Sequence, residues 1–561
     1  MGSGRPLSSG AGYLRDSKPV VYQAGPRKIT PIGAGCHKFP TVDGSCPDVR
    51  WPTARLAHMH LGIDFGTTRT VVAYADRGNF PVVSFTDGRG DAHEYFPSLV
   101  ALTEQGLVSG FAAQTARDTG ATVLRSFKRA LGSPMVNTAT QVSIGDTQVC
   151  LLDVLVSFLT DLRAALHDNS TLTALLPDDP IERVVVAVPA HANSAQRFLT
   201  LEAFRRAGFE VAAMMNEPSA AGFEYTHRLH TATSTRRSRL VVYDLGGGTF
   251  DSSLVAIRDR SHAVLGSVGI NRLGGDDFDV VLADLACTQA GVSPEDLGIS
   301  GYFQLLAEAQ AAKEQLSPQS RRMVLEVGRR SVTVTVADYY RAATGLVEQT
   351  IAAMGPLVDG LDNGEPDLST IAGLYLVGGA SSLPLVPRLL RERFGRRVYR
   401  SPYPAASTAI GLAIAAAPAS GYTLSDRLSR GFGVFRETDG GDRLSFDAIF
   451  DRDATIVPGR EVRIERRYRA AHNIGWYRFV EYAEMSDSHP VGDIVPFEDV
   501  VFPFQTHLQG PEVKLGDLTV QRTAEGDLIE ERYLIDPHGI VSVQITDLDT
   551  GYTQTHQLGL S

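Results

Sequence analysis

Cysteine is nearly missing from this chain. The four present, Cys36, Cys46, Cys150 and Cys287, show no paired Cys or Cys/His ligand spacing. Neither a zinc module nor a disulfide framework is indicated, and reduced thiols are expected, even with His37 beside Cys36. Missing too is any run approaching the 18 apolar residues that a membrane span needs, so no transmembrane helix and no membrane partner are expected. Positive charge is in deficit, with 53 Lys and Arg against 64 Asp and Glu and a net charge of −11. A nucleic-acid binder concentrates the opposite sign, so no nucleic-acid partner is expected. The basic clusters Arg236-Arg237-Ser238-Arg239 and Arg391 to Arg397 read as solvated surface. No Walker Gly-x-x-x-x-Gly-Lys-Ser/Thr and no strand-borne Gly-x-Gly-x-x-Gly occurs, which removes the common P-loop and dinucleotide signatures.

Residues 1–58 are rich in Gly, Pro, Ser and Arg, and they lack both apolar periodicity and the hydrophobic core of a secretory signal. A disordered extension is expected there, with a transit peptide or regulatory tail as the functional alternative. Beyond it, a length of 561 residues predicts two or more domains.

What is present in abundance is the glycine-rich turn after an apolar strand. Three such turns read Leu61-Gly62-Ile63-Asp64-Phe65-Gly66-Thr67-Thr68, Asp244-Leu245-Gly246-Gly247-Gly248-Thr249-Phe250-Asp251 and Leu376-Val377-Gly378-Gly379-Ala380. Glycine lets a backbone approach a ligand closely, and successive N–H groups in such turns converge on phosphate oxygens. An aspartate stands at the end of the first two strands, suited to holding Mg²⁺ through its water shell. One such turn alone is also an ordinary hairpin. Three in order, one of them with three glycines bracketed by acids, describe a nucleotide site.

In this order the turns resemble the phosphate-1, phosphate-2 and adenosine loops of the seventy-kilodalton heat-shock chaperones, within the actin, sugar-kinase and chaperone ATPase superfamily. Val184 to Pro189 followed by Ala190-His191-Ala192-Asn193-Ser194-Ala195-Gln196-Arg197, then Asn216-Glu217-Pro218-Ser219-Ala220-Ala221, is similar to that family's connecting segment. Leu273-Gly274-Gly275-Asp276-Asp277-Phe278-Asp279 resembles its Leu-Gly-Gly-Glu-Asp-Phe-Asp, and Leu124 to Gly132 looks like the stretch carrying its catalytic lysine. The likeness covers residues 60–416 firmly and the remainder more weakly.

The resemblance implies an α/β, two-lobed actin-like (ribonuclease H-like) ATPase domain over 59–417, a linker over 418–428 and an all-β sandwich over 429–561. It implies ATP/ADP and Mg²⁺ as cofactors, with Asp64 and Asp244 holding hydrated Mg²⁺ and Lys128, Glu217, Thr249 and Asp251 completing the catalytic set. Nucleotide contacts would come from Gly66, Thr67, Thr68, Arg69, Gly246, Gly247, Gly248, Thr249, Gly274, Gly275, Lys313, Ser317, Gly378 and Gly379. Departures are visible. Gln310 stands where the adenosine-contacting helix usually has Glu, and Ser401-Pro402-Tyr403-Pro404-Ala405-Ala406 replaces Asn-Pro-Asp-Glu-Ala.

Helical spacing marks Asp153 to His167 and Tyr302 to Leu316, and Pro97 to Leu102 reads as a strand. After the breaker cluster Pro418 to Tyr422, β alternation dominates, with Val462, Ile464 and Tyr468 on one face interrupted by Arg466. Asn473 to Tyr477 looks like a peptide-facing loop in which Ile474 or Trp476 offers an apolar contact, or else fills the core. The other peptide loop, near Phe435 to Leu444, is polar, and the linker Thr423-Leu424-Ser425-Asp426 keeps one leucine and the aspartate. Weaker interdomain coupling is therefore expected. The last residue, Ser561, follows soon after the last strand, so no helical lid is expected, and Met59 is a candidate native start.

The expected function is that of a cytoplasmic, ATP-dependent chaperone-like protein, hydrolysing ATP slowly and binding polypeptide segments, with possible co-chaperones. The alternative is a nucleotide-switched scaffold docking one dedicated protein partner. A small-molecule kinase or filament protein is disfavoured by the Asn-Glu-Pro-Ser-Ala-Ala motif.

Overall fold

The structure, a computed structural model, describes residues 59–557 apart from 177–180, 230–236, 362–365, 429, 439–442, 453, 457–460 and 511–512. The extension 1–58, Cys36, His37, Cys46, Arg236 and part of the loop Phe435 to Leu444 lie outside the described residues.

Valine-rich segments make the first sheet. Its five strands run in the order Val211–Asn216, Ile181–Val188, Met59–Phe65, Arg69–Tyr74 and Phe96–Pro97. Met59–Phe65 pairs parallel with Ile181–Val188, placing Leu61 opposite Val184, and antiparallel with Arg69–Tyr74. Both faces are covered, so Val184 to Val188 is an unbroken buried run rather than an alternating one. Helix Leu151–Asp168 lays Leu155, Phe158, Leu159 and Leu162 on one face of this core.

A second sheet of seven strands follows the order Val398–Arg400, Ile371–Val377, Arg239–Leu245, Phe250–Arg258, Ser261–Ile270, Thr423–Arg427 and Thr455–Ile456. Its core gathers Tyr243, Phe250, Phe278, Leu282, Tyr339 and Leu376. The segment expected to be a linker contributes a strand to this sheet: Leu424 lies opposite His262, and Asp426 pairs with Ile456. Leu424 is buried with Val264, Leu412 and Ile414.

Beyond Arg430, apart from Thr455–Ile456, the described strands form two antiparallel four-stranded sheets. One runs Arg443–Phe450, Gly431–Thr438, Ile474–Ser486, His489–Pro503, and the other Val462–Arg469, Leu528–Ile535, Val541–Asp547, Thr553–Gln557. Phe432, Val434, Phe479, Tyr533, Val543 and Ile545 share one core between them. Asn473 to Tyr477 is not a loop here. Ile474 opens a long strand and is buried, Trp476 is 42% exposed on its outer side, and Asn473 is held by Thr519 and Gln521. The physical reason is pairing with His489–Pro503, which fixes Ile474 opposite Pro503 and turns its side chain inward.

Arg466, the polar interruption on the inward face, reaches Asp447 at 3.0 Å. Asp447 also takes Arg436, whose other nitrogens donate to Glu531 at 3.0 and 2.5 Å. Glu531 is fully buried and accepts further hydrogen bonds from Tyr468 and Tyr533. Arg436 and Glu531 belong to different sheets, so a charged network ties the two layers.

Candidate active site

Two strand ends define the floor. Asp64 stands at the end of Met59–Phe65 and Asp244 near the end of Arg239–Leu245, each just before a glycine turn. A cavity of about 420 Å³ opens between the turns, within the size range of small-ligand sites. Asp64, Gly66, Thr67, Thr68, Arg69, Lys128, Glu217, Asp244, Gly246, Gly247, Thr249, Gly275, Lys313, Gly378 and Gly379 line it. Gly378 has φ +80°, and a Cβ there would strike Asp244 and the Leu245 carbonyl, so the third turn passes directly over the second strand end only as glycine.

Charge in the cavity is unbalanced. Lys128, buried in the short helix Phe127–Gly132, donates to Glu217 at 2.8 Å. Burial opposes its charge, but Glu217, Asp64 and Asp251 together hold its pKa above the usual lysine value. Glu217 begins helix Glu217–Arg228, where a carboxylate suits the helix dipole. Burial, reinforced by Glu217, pushes Asp64 up to about 7. Burial with Glu217, Asp64 and Asp251 raises Asp244 well above the carboxylate range. A buried acidic set with one lysine is short of positive charge, and a hydrated divalent cation fits that deficit. Among the described residues no three His, Cys, Asp or Glu side chains form a direct metal cage, so water and ligand oxygens would have to complete a Mg²⁺ shell.

Four expected residues stand back from the cavity lining. Gly248 and Gly274 pack against each other behind the second turn. Ser317 bonds to Ser320. Asp251 is buried, with Oδ1 accepting the Ala190 N–H at 2.8 Å and His191 Nδ1 at 2.9 Å. Lys313 lines the cavity but is engaged, donating to the Gly275 carbonyl at 2.7 Å and pairing with Asp279 at 2.6 Å. Burial raises Asp279 to about 6 despite that lysine.

The Hsp70 protein family matches residues 60–429, well over half of the chain. The chain belongs to the Hsp70 family. It is 31% identical over 418 residues to the "Chaperone protein HscA" of Enterobacter sp. (strain 638), covering 71% of this chain and 65% of that protein. The "Chaperone protein HscA" of Citrobacter koseri is 31% identical over 417 residues, covering 71% of this chain and 64% of that protein. The chain thus spans just under two thirds of the length of these relatives.

For this member of the Hsp70 family, sequence reasoning missed several lining residues. Asp276, Glu314, Arg400 and Thr408 also face the cavity. Arg69 does not point freely at the ligand space: it pairs with Glu314 at 2.6 Å and lies over the Tyr95 ring. Gln310, in the place of the usual Glu, accepts from Arg125 at 3.1 Å. No local pattern announces these pairings, because each partner lies more than a hundred residues away along the chain.

Proposed function

We propose that this chain binds ATP with Mg²⁺ in the cavity and hydrolyses it slowly to ADP and phosphate, with residues 59–417 as the ATPase domain and 429–561 as a polypeptide-binding domain. The observation that carries this reading is the convergence of three glycine turns on a cavity whose floor sets Asp64, Asp244 and Glu217 against Lys128, with Lys313 already engaged by Asp279. Asp64 and Asp244 would hold the hydrated cation, which supplies neutralisation of phosphate charge. Lys128, fixed by Glu217, presents a positive charge to the terminal phosphate. Amides of Gly66 to Thr68 and Gly246 to Thr249 bind phosphate oxygens, and the Gly378 turn bounds the adenosine side. In hydrolysis a bond forms from a water oxygen to the terminal phosphorus, the bridging P–O bond breaks, and the water's proton leaves to a nearby base or to phosphate. Action in the cytoplasm with co-chaperones accompanies this reading.

The second reading, a nucleotide-switched scaffold for one dedicated partner, is favoured by Ile474, which is buried opposite Pro503 and so does not offer a client the apolar contact expected of it. Steady-state ATPase assays test the core proposal. Lys128→Ala and Asp251→Ala are each expected to lower turnover by about 100-fold. Unchanged rates in both would overturn the assignment. A pull-down that returns one stoichiometric partner selects the scaffold, and many apolar clients select the chaperone.

A further inference from the structure

Behind the lysine and the carboxylates lies a histidine that the motif reading leaves without a task. His191 follows the strand Ile181–Val188 by three residues and is largely buried, with a side chain 16% exposed. Its Nδ1 meets Asp251 Oδ1 at 2.9 Å, and its Nε2 meets the side-chain oxygen of Asn271. Both ring nitrogens therefore face acceptors, an arrangement that the doubly protonated imidazolium satisfies. The strand Ser261–Ile270 makes room for it. Gly269 lies opposite Asp251 in the sheet, and a Cβ at Gly269 would overlap the His191 ring. Asp251 is thus pinned through Oδ1 by the Ala190 amide and by His191, while its buried Oδ2 has no hydrogen-bond partner. A buried carboxylate oxygen without a partner is unusual unless it serves a ligand or water.

We propose that His191 is a positioning residue for phosphate cleavage: seated in the Gly269 notch and anchored by Asn271, it fixes Asp251 so that Oδ2 is free to accept a hydrogen bond from the attacking water. The proposal rests on the hydrolytic reading above. The groups facing the ring are Asp251 from the strand Phe250–Arg258, Asn271 after the strand Ser261–Ile270, and Glu217 from helix Glu217–Arg228. Lys128 stands beyond Glu217 as the other cation of the set. Burial opposes the imidazolium, but Asp251, Asn271 and Glu217 outweigh it and hold the proton above the ordinary histidine range. Deprotonation removes one of the two donors, so cleavage should weaken as pH rises through that raised value.

The test uses the full chain, with ATP affinity measured by calorimetry and hydrolysis by single turnover across pH. His191→Ala is expected to slow cleavage by about 10- to 100-fold while the ATP Kd stays within about 3-fold. His191→Gln, which keeps one donor, should recover part of the rate and lose the alkaline fall seen in the wild type. Gly269→Ala, which displaces the ring without removing it, should behave as His191→Ala. Wild-type protein that binds ATP but does not cleave it overturns both this proposal and the hydrolytic reading. Wild-type protein that cleaves ATP at a rate and pH profile shared by all three variants overturns the role of His191 alone, as does a loss of cleavage matched by an equal loss of ATP affinity.

Discussion

Lys128 and Glu217 lie far apart in sequence yet form a buried ion pair at 2.8 Å, and the carboxylates around them compete for too little positive charge. Such a set responds to pH in a definite direction. Asp64, held at about 7 by burial and Glu217, is largely protonated in the ligand-free chain below neutrality. A divalent cation favours the carboxylate, so uptake of magnesium nucleotide at pH 6 should expel protons, and at pH 8.5 far fewer. Calorimetry in two buffers of different ionisation enthalpy reads this directly. Binding heats independent of buffer at pH 6 would contradict the shift. At this scale the sequence displayed the acids and glycines, because each glycine turn is a local pattern. It could not display the partners of Arg69, Lys313 or His191, which are set by tertiary register.

At the scale of elements, the segment Thr423–Arg427 shows how little apolar surface a docked strand requires. Leu424 is its one buried aliphatic side chain, and it lies opposite His262 in the sheet. His262 packs against Phe223 and Tyr422 and shares a hydrogen bond with Thr226. Burial pushes its pKa down to about 4, from an ordinary value of 6.5. The unfolded chain takes up that proton first, so the stability present above about pH 6.5 is lost as pH falls toward 4. Between pH 6.5 and 5 the wild type should lose about 2 kcal/mol more than His262→Gln, as measured by denaturant unfolding. Equal losses would show that the histidine is solvated in the native state. Strand and helix types were legible from periodicity, as in Leu151–Asp168 and Gly298–Glu314. The strand at Ile474 was not, because its period-2 pattern is broken by Gly475 and its inward turn depends on the partner His489–Pro503.

At the scale of the whole molecule, the described residues show a seam between the α/β part and the β part. Glu481, buried in the strand Ile474–Ser486, accepts from the Ser194 amide at 3.1 Å and the Ser194 hydroxyl at 2.5 Å, at the start of helix Ser194–Arg206. Arg430 stands 3.8 Å from the same carboxylate. Nearby, Arg197 donates to Asn216, which donates to Asp426, and Ile540 of the β part is buried in the first α/β core. A carboxylate at a helix N-terminus is a favourable pairing, and removing a buried charged partner costs about 2–5 kcal/mol. Glu481→Ala should therefore open the seam, seen as faster proteolysis near Leu424 and a larger radius of gyration in solution scattering. An unchanged cleavage pattern and radius would mean that the seam does not depend on the Glu481 contacts.

Titration of the purified full chain with ATP, in magnesium and again with magnesium chelated, reads whether the carboxylate-lined cavity takes up the nucleotide together with its cation. Saturable uptake is expected that weakens sharply without the cation and is lost in Asp244→Ala. Absence of binding, or binding indifferent to both magnesium and Asp244, would contradict it.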